Sequence, residues 1–221
     1  MMRELEPTVF IVDGDVGVLK SLDILMDSVR LRTEMYLSAE DFFRSYDRAG
    51  PGCLILEDRL PGIGGLGAYR RLRETGDNIP VIFLTAYGTV ATAVRTMQEG
   101  AFDFLEKPPN DQYLIDRVQA ALAQDRENLR QEAEKEEMGR RFQRLSPRER
   151  TVLDQLVGGR TSKAIARNLG IEPKTVDVHR ANIMRKVGVG TTAGLVYLAL
   201  TSGYSGERPL CELRDYSPAT L

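Results

Sequence analysis

At 221 residues the chain exceeds what one compact core usually holds, and roughly 100–200 residues per domain predicts two domains. A hydrophobic share of 42% and a charged share of 28% are ordinary for a globular protein, and no apolar run approaches the ~20 residues that span a bilayer, which excludes a membrane-spanning helix. The net charge of -2 hides an uneven distribution: residues 1–124 carry -6 and residues 142–203 carry +6, so only the second segment suits a polyanion such as nucleic acid.

Met1 to Pro7 contain no long apolar stretch and do not read as a signal peptide, which predicts a cytoplasmic protein with no membrane partner. Cys53, inside an apolar run, and Cys211, in a polar tail, are too few and too far apart for a disulfide framework or a metal cluster. From Thr8 to about Gln124, short apolar runs alternate with amphipathic helical patterns, the sequence form of a parallel α/β sheet. Strands are predicted at Thr8–Val12, Thr33–Tyr36, Cys53–Leu56, Val81–Leu84 and Phe102–Leu105. Helices are predicted near Val16–Val29, Ala39–Tyr46, Gly65–Glu74, Val90–Glu99 and Asn110–Ala123, where apolar residues recur at spacings of three and four. Breakers such as Gly50-Pro51-Gly52, Pro61-Gly62 and Pro108-Pro109 fall where the turns belong.

Residues 125–141 are charged, free of proline and rich in helix formers, which predicts a solvated helical linker continuing from the fifth helix. Residues 142–203 read as four short helices without strands. Ser146-Pro147-Arg148-Glu149 is a capping box with proline at the first helical position, and that helix stops at Gly158-Gly159. A second opens at Thr161 or Ser162 and ends at Gly170, a residue suited to a left-handed turn. A third runs from Pro173 to Lys186, and the last covers about Thr192–Thr201. Residues 204–221 give no periodic signal and are expected to form a mobile tail.

In an open parallel sheet, chemistry gathers outside the carboxyl ends of the strands. The first strand ends at Asp13-Gly14-Asp15, the third at Glu57-Asp58 and the fourth at Thr85-Ala86, and Lys107 follows the fifth. Carboxylates, a hydroxyl and an ammonium converging there suit a phosphoryl group and a hard divalent cation.

Phe10-Ile11-Val12-Asp13, Arg59-Leu60-Pro61-Gly62, Val81-Ile82-Phe83-Leu84-Thr85 and Asp103-Phe104-Leu105-Glu106-Lys107-Pro108 resemble a response-regulator receiver domain. Leu145-Ser146-Pro147-Arg148-Glu149-Arg150, Ser162-Lys163-Ala164-Ile165-Ala166 and the run Lys174 to Lys186 resemble the DNA-binding domain of the NarL/FixJ, or LuxR-type, response regulators. The resemblance covers roughly residues 8–203. It implies an α/β fold class: a doubly wound, five-stranded parallel sheet of flavodoxin-like order 2-1-3-4-5, joined by a helical linker to a small all-α helix-turn-helix domain. The domains are then 1–124 (receiver), 125–141 (linker), 142–203 (DNA binding) and 204–221 (tail). The implied partners are double-stranded promoter DNA, a second copy of the chain, and a sensor histidine kinase or another regulatory protein.

The family pattern breaks at the acceptor. Such receivers carry an aspartate four residues before the proline that follows the third strand, and counting back from Pro61 reaches Glu57. The acidic pair after the first strand, which holds Mg²⁺, is here Asp13 and Gly14. Thr85, Phe104 and Lys107 match their family positions. No cofactor is expected beyond a weak, degenerate Mg²⁺ site at Asp13 and Glu57, since the ion needs several oxygens. A receiver that works without aspartyl phosphorylation is therefore expected, with phosphorylation at Asp58 or Glu57 as the alternative. Alternation along a strand directs Asp58 away from the pocket if Glu57 points in. Glu57 is then either a mimic of the phosphorylated state or a neutral replacement in a receiver kept for dimerisation and protein interaction.

In helix-turn-helix proteins the second helix of the motif enters the major groove. On the outward half of the third helix the spacing places Lys174, Thr175, Asp177, Val178, Arg180, Ala181, Asn182 and Lys186. Lys174, Arg180 and Lys186 suit phosphate or guanine, and Val178 with Ala181 suits a thymine methyl group. Arg160, Thr161 and Ser162, ahead of the second helix, are placed for phosphate. His179, the single histidine, reads as a packing or phosphate-contact residue, with no metal set or catalytic triad beside it.

Overall fold

A computed structural model describes residues 6–204, which divide into two compact units between Arg130 and Gln131. In chain order the first unit holds β1 (Thr8–Val12), α1 (Val16–Ser28), β2 (Arg32–Tyr36), α2 (Ala39–Ser45), β3 (Gly52–Leu56), α3 (Gly64–Glu74), β4 (Val81–Thr85), α4 (Val90–Gln98) and β5 (Asp103–Glu106). Helix α5 runs unbroken from Asp111 to Gln143. The expected helical linker is thus continuous with the fifth helix, and the boundary between units falls inside it. The second unit continues with α6 (Pro147–Val157), α7 (Ser162–Leu169), α8 (Pro173–Val187) and α9 (Thr192–Thr201).

All strand pairs are parallel, in the order β2-β1-β3-β4-β5. The central strands β3 and β4 read GCLIL and VIFLT and are buried along their whole length, as strands covered on both faces must be. Side-chain alternation splits the apolar residues into two cores. Val9, Ile11, Cys53, Ile55, Ile82 and Leu84 meet α1 and α5, whereas Phe10, Val12, Leu54, Leu56 and Phe83 meet α2 and α3. Register then positions the chemistry. Val12 pairs with Leu56, so Asp13 and Glu57, each one residue past its strand, stand level at the carboxyl edge.

The opposite edge carries a buried ionic cluster. Arg48 pairs with Asp77 at 2.6 Å and with Asp125 at 3.0 Å, and Asp125 also accepts the Gly52 amide at 2.8 Å. Asp125 is only 1% exposed. The sequence places it at the start of a solvated linker, but it belongs to the first unit, because its partners, Arg48 and Gly52 at the start of β3, lie far away in the chain.

The second unit packs Phe142, Leu145, Val152, Leu153, Ile165, Val176, Ile183, Val187 and Leu195 into one core. Its helix ends are set locally. Ser146 and Glu149 form the reciprocal capping box on α6, Thr161 caps α7, and Thr191 caps α9. Gly170 closes α7 at φ +64°, the left-handed turn that leads into α8. Tyr204, predicted to begin the tail, packs on Phe142 with ring centroids 4.9 Å apart, and the rest of that tail lies outside the described residues. Among the described residues no single helix is long and apolar enough to cross a membrane.

Candidate functional site

At the carboxyl edge of the sheet, the Lys107 ammonium lies between two carboxylates. It donates to Glu57 Oε2 at 2.6 Å and makes a short contact with Asp13 Oδ2. Glu57 Oε1 accepts the Arg59 amide at 3.0 Å, and the buried Thr85 side chain lies beside this carboxylate. Burial opposes ionisation of Glu57, but the hydrogen bonds from Lys107 and Arg59, with Thr85 beside them, outweigh it and hold the carboxyl below the usual range. For Lys107 burial disfavours the charge, and the bonds to Asp13 and Glu57 more than offset this, holding its pKa above the ordinary value. Phe104 stacks on Phe83 beneath the pocket, centroids 6.4 Å apart.

The other residues predicted for this edge fall outside the cluster. Asp15 caps α1, accepting the Gly17 amide at 2.7 Å. Asp58 is half-buried and takes no part in the Lys107 cluster, and burial together with the Glu57 charge raises its pKa. Gly14 is exposed, and a Cβ built there meets nothing within 4 Å. The neighbouring loop has no such freedom. A Cβ on Gly65 would lie 2.2 Å from the Glu57 carbonyl oxygen, so only glycine lets α3 start this close to β3.

In the second unit, Val176, Ile183 and Val187 hold α8 to the core. Lys174, Asp177, Val178, Ala181 and Arg185 are exposed at spacings of three and four, forming one outward stripe, with Thr175 exposed beside it. His179 and Asn182 are half-buried at its margin. Arg160 and Thr161 lie at the start of α7, where the Thr161 hydroxyl accepts the Ala164 amide. Arg180 turns sideways, donating to Ser162 Oγ at 2.7 Å, Asp177 Oδ1 at 3.3 Å and Thr192 Oγ1 at 2.6 Å. Lys186 is bound to Glu149 Oε2 at 2.7 Å, and Glu149 is 5% exposed.

Residues 9–119 match the response regulator receiver domain, and residues 143–199 match the bacterial regulatory proteins of the LuxR family. The chain is 41% identical to the transcriptional regulatory protein FixJ of Azorhizobium caulinodans over 195 residues, 88% of this chain and 92% of that one. It is 39% identical to the transcriptional regulatory protein TdiR of Thauera aromatica over 193 residues, 87% and 85% of the two chains. The solved response regulator StyR matches with a TM-score of 0.80 at 36% identity, over 89% of this chain and all of that one. The chain belongs to the NarL/FixJ family of response regulators. Like the relatives named, this response regulator is a regulatory protein and not an enzyme.

Receivers imply Mg²⁺, and the donors present decide whether it fits. Asp13 and Glu57 come together around Lys107, and Gly14 supplies no third carboxylate. Among the described residues no three Asp, Glu, His or Cys side chains gather as a metal set. The cluster does not fit a divalent cation that needs several free oxygens. Arg180 and Lys186, both predicted to meet DNA, are hydrogen-bonded inside the second unit, since each stands at the edge of the outward face within reach of an internal acceptor. Arg185, which the sequence reading does not place on the outward half, stands on the exposed stripe four residues after Ala181.

Proposed function

We propose that this protein is a cytoplasmic, promoter-binding regulator whose receiver works without aspartyl phosphorylation, with Glu57 standing in for the phosphorylated side chain. One observation carries the proposal: the Glu57 carboxylate already takes the Lys107 ammonium and a backbone amide, donors that would otherwise meet phosphoryl oxygens. A phosphoryl group would have to displace this carboxylate, and the cation that would neutralise it has no adequate donor set. A sensor kinase is then dispensable for DNA binding. The operating form is a homodimer, because two recognition helices on half-sites one helical turn apart, or a multiple of it, reach useful affinity together.

Incubation of the full chain with acetyl phosphate and Mg²⁺ tests the acceptor directly. The wild type is expected to take up no base-labile phosphate, and Glu57→Asp alone little. Glu57→Asp combined with Gly14→Asp is expected to gain Mg²⁺-dependent label, since the space at Gly14 is open and only the pair restores acceptor and cation site. Stoichiometric label on the wild type would overturn the proposal and make Asp58→Asn the next variant to measure.

A further inference from the structure

The outward stripe of α8 carries an acid in an otherwise cationic and apolar setting: Lys174, Asp177, Val178, Ala181 and Arg185. A carboxylate on a face that approaches a polyanion loses affinity unless it meets a hydrogen-bond donor. Its geometry is fixed. Asp177 Oδ1 accepts the Ser162 hydroxyl at 3.0 Å and an Arg180 N–H at 3.3 Å, while Oδ2 accepts no hydrogen bond from the described residues. Arg180 is itself tied to Thr192 at the start of α9, so it anchors the carboxylate to α7 and α9 together.

Base edges in the major groove offer few donors. Guanine presents only acceptors there and thymine an acceptor and a methyl group, leaving the amino groups of cytosine and adenine. Adenine places its N7 lone pair beside its amino group, which repels a carboxylate, whereas cytosine places only a C–H there. We infer that Asp177 is a specificity-determining residue that accepts the amino group of one cytosine in the major groove, with Val178 against the methyl group of a neighbouring thymine. Arg180 is a positioning residue for that carboxylate. The inference rests on the promoter-binding function proposed above.

The test is the binding of the full-length protein to a randomised duplex library, sequenced before and after selection, for the wild type, Asp177→Ala, Asp177→Asn and Arg180→Lys. The wild type is expected to require cytosine at one position of each half-site. Asp177→Ala is expected to lose about 5- to 30-fold discrimination at that position alone, with the other positions unchanged. Asp177→Asn, which keeps the shape but adds a donor, is expected to lose the preference for cytosine as well. Arg180→Lys, which keeps the charge and a donor, is expected to weaken the preference at the same position by less than Asp177→Ala. Because Asp177 is exposed, its variants are expected to keep the wild-type melting profile, which circular dichroism checks. If the wild type selects sites and Asp177→Ala selects the same sites with the same preferences, the assignment of Asp177 is overturned while promoter binding stands. A wild type that binds no duplex overturns promoter binding, and this inference with it.

Discussion

The Lys107 ammonium has two buried carboxylate partners, and removing the charge from one of them has a calculable sign. Glu57 has a folded-state pKa below the ordinary glutamate value of about 4.3, so its ionised form is held preferentially by the folded protein. The resulting stability is fully present above that value and is lost as pH falls through the lower, folded-state pKa. Glu57→Gln is therefore expected to destabilise the receiver at neutral pH. The gap to the wild type is expected to close as pH falls below the ordinary glutamate range and through the lower folded-state pKa, which urea melts across pH would show. A gap that stays constant into acid would mean the Glu57 charge contributes nothing. The pairing of Glu57 with Lys107 was legible in sequence, because both residues follow strands that a parallel sheet brings to one edge. Asp15 was not legible, because one carboxylate at a strand end can cap the next helix or face the pocket, and only the backbone turn decides.

At the level of elements, two charged residues fasten helices that their sequence positions assign to solvent or to DNA. Asp125, in the middle of α5, reaches the Gly52 amide and Arg48, so Asp125→Ala leaves the buried Gly52 N–H without its acceptor and Arg48 with Asp77 as its remaining carboxylate. A loss of about 1–3 kcal/mol in receiver stability is expected by denaturant titration. Lys186 joins the end of α8 to Glu149 in the capping box of α6. Burial disfavours the Glu149 charge, yet the bond from Lys186 and those around Ser146 hold its carboxyl below the usual range. Lys186→Ala is expected to lower the melting point of the helical unit, at about 1–2 kcal/mol, and to leave the salt dependence of DNA binding unchanged. A shallower salt slope with an unchanged melt would return Lys186 to the phosphate contacts. Element existence and type were readable throughout, from the uninterrupted apolar runs of β3 and β4 to the capping box at Ser146. The roles of Arg180 and Lys186 were not, because helical spacing separates core from surface cleanly only at the centre of each face. For residues at the margin, a partner from another helix decides the direction of the side chain.

On the scale of the whole molecule, the separation of charge predicts how the protein meets DNA. The net +6 on residues 142–203 is expected to make duplex binding fall steeply with salt, with a log–log slope of about -0.9 per phosphate contacted. Affinity indifferent to salt would contradict a phosphate-based interface. If the Glu57 carboxylate makes the receiver independent of phosphorylation, as proposed, the affinity of the full-length protein for its selected duplex should not depend on prior incubation with acetyl phosphate and Mg²⁺. The two binding curves are expected to coincide for the wild type, and Glu57→Ala is expected to bind more weakly than either while remaining folded. A wild-type affinity that rises on phosphodonor treatment, or a Glu57→Ala curve that overlays the wild type, would contradict it.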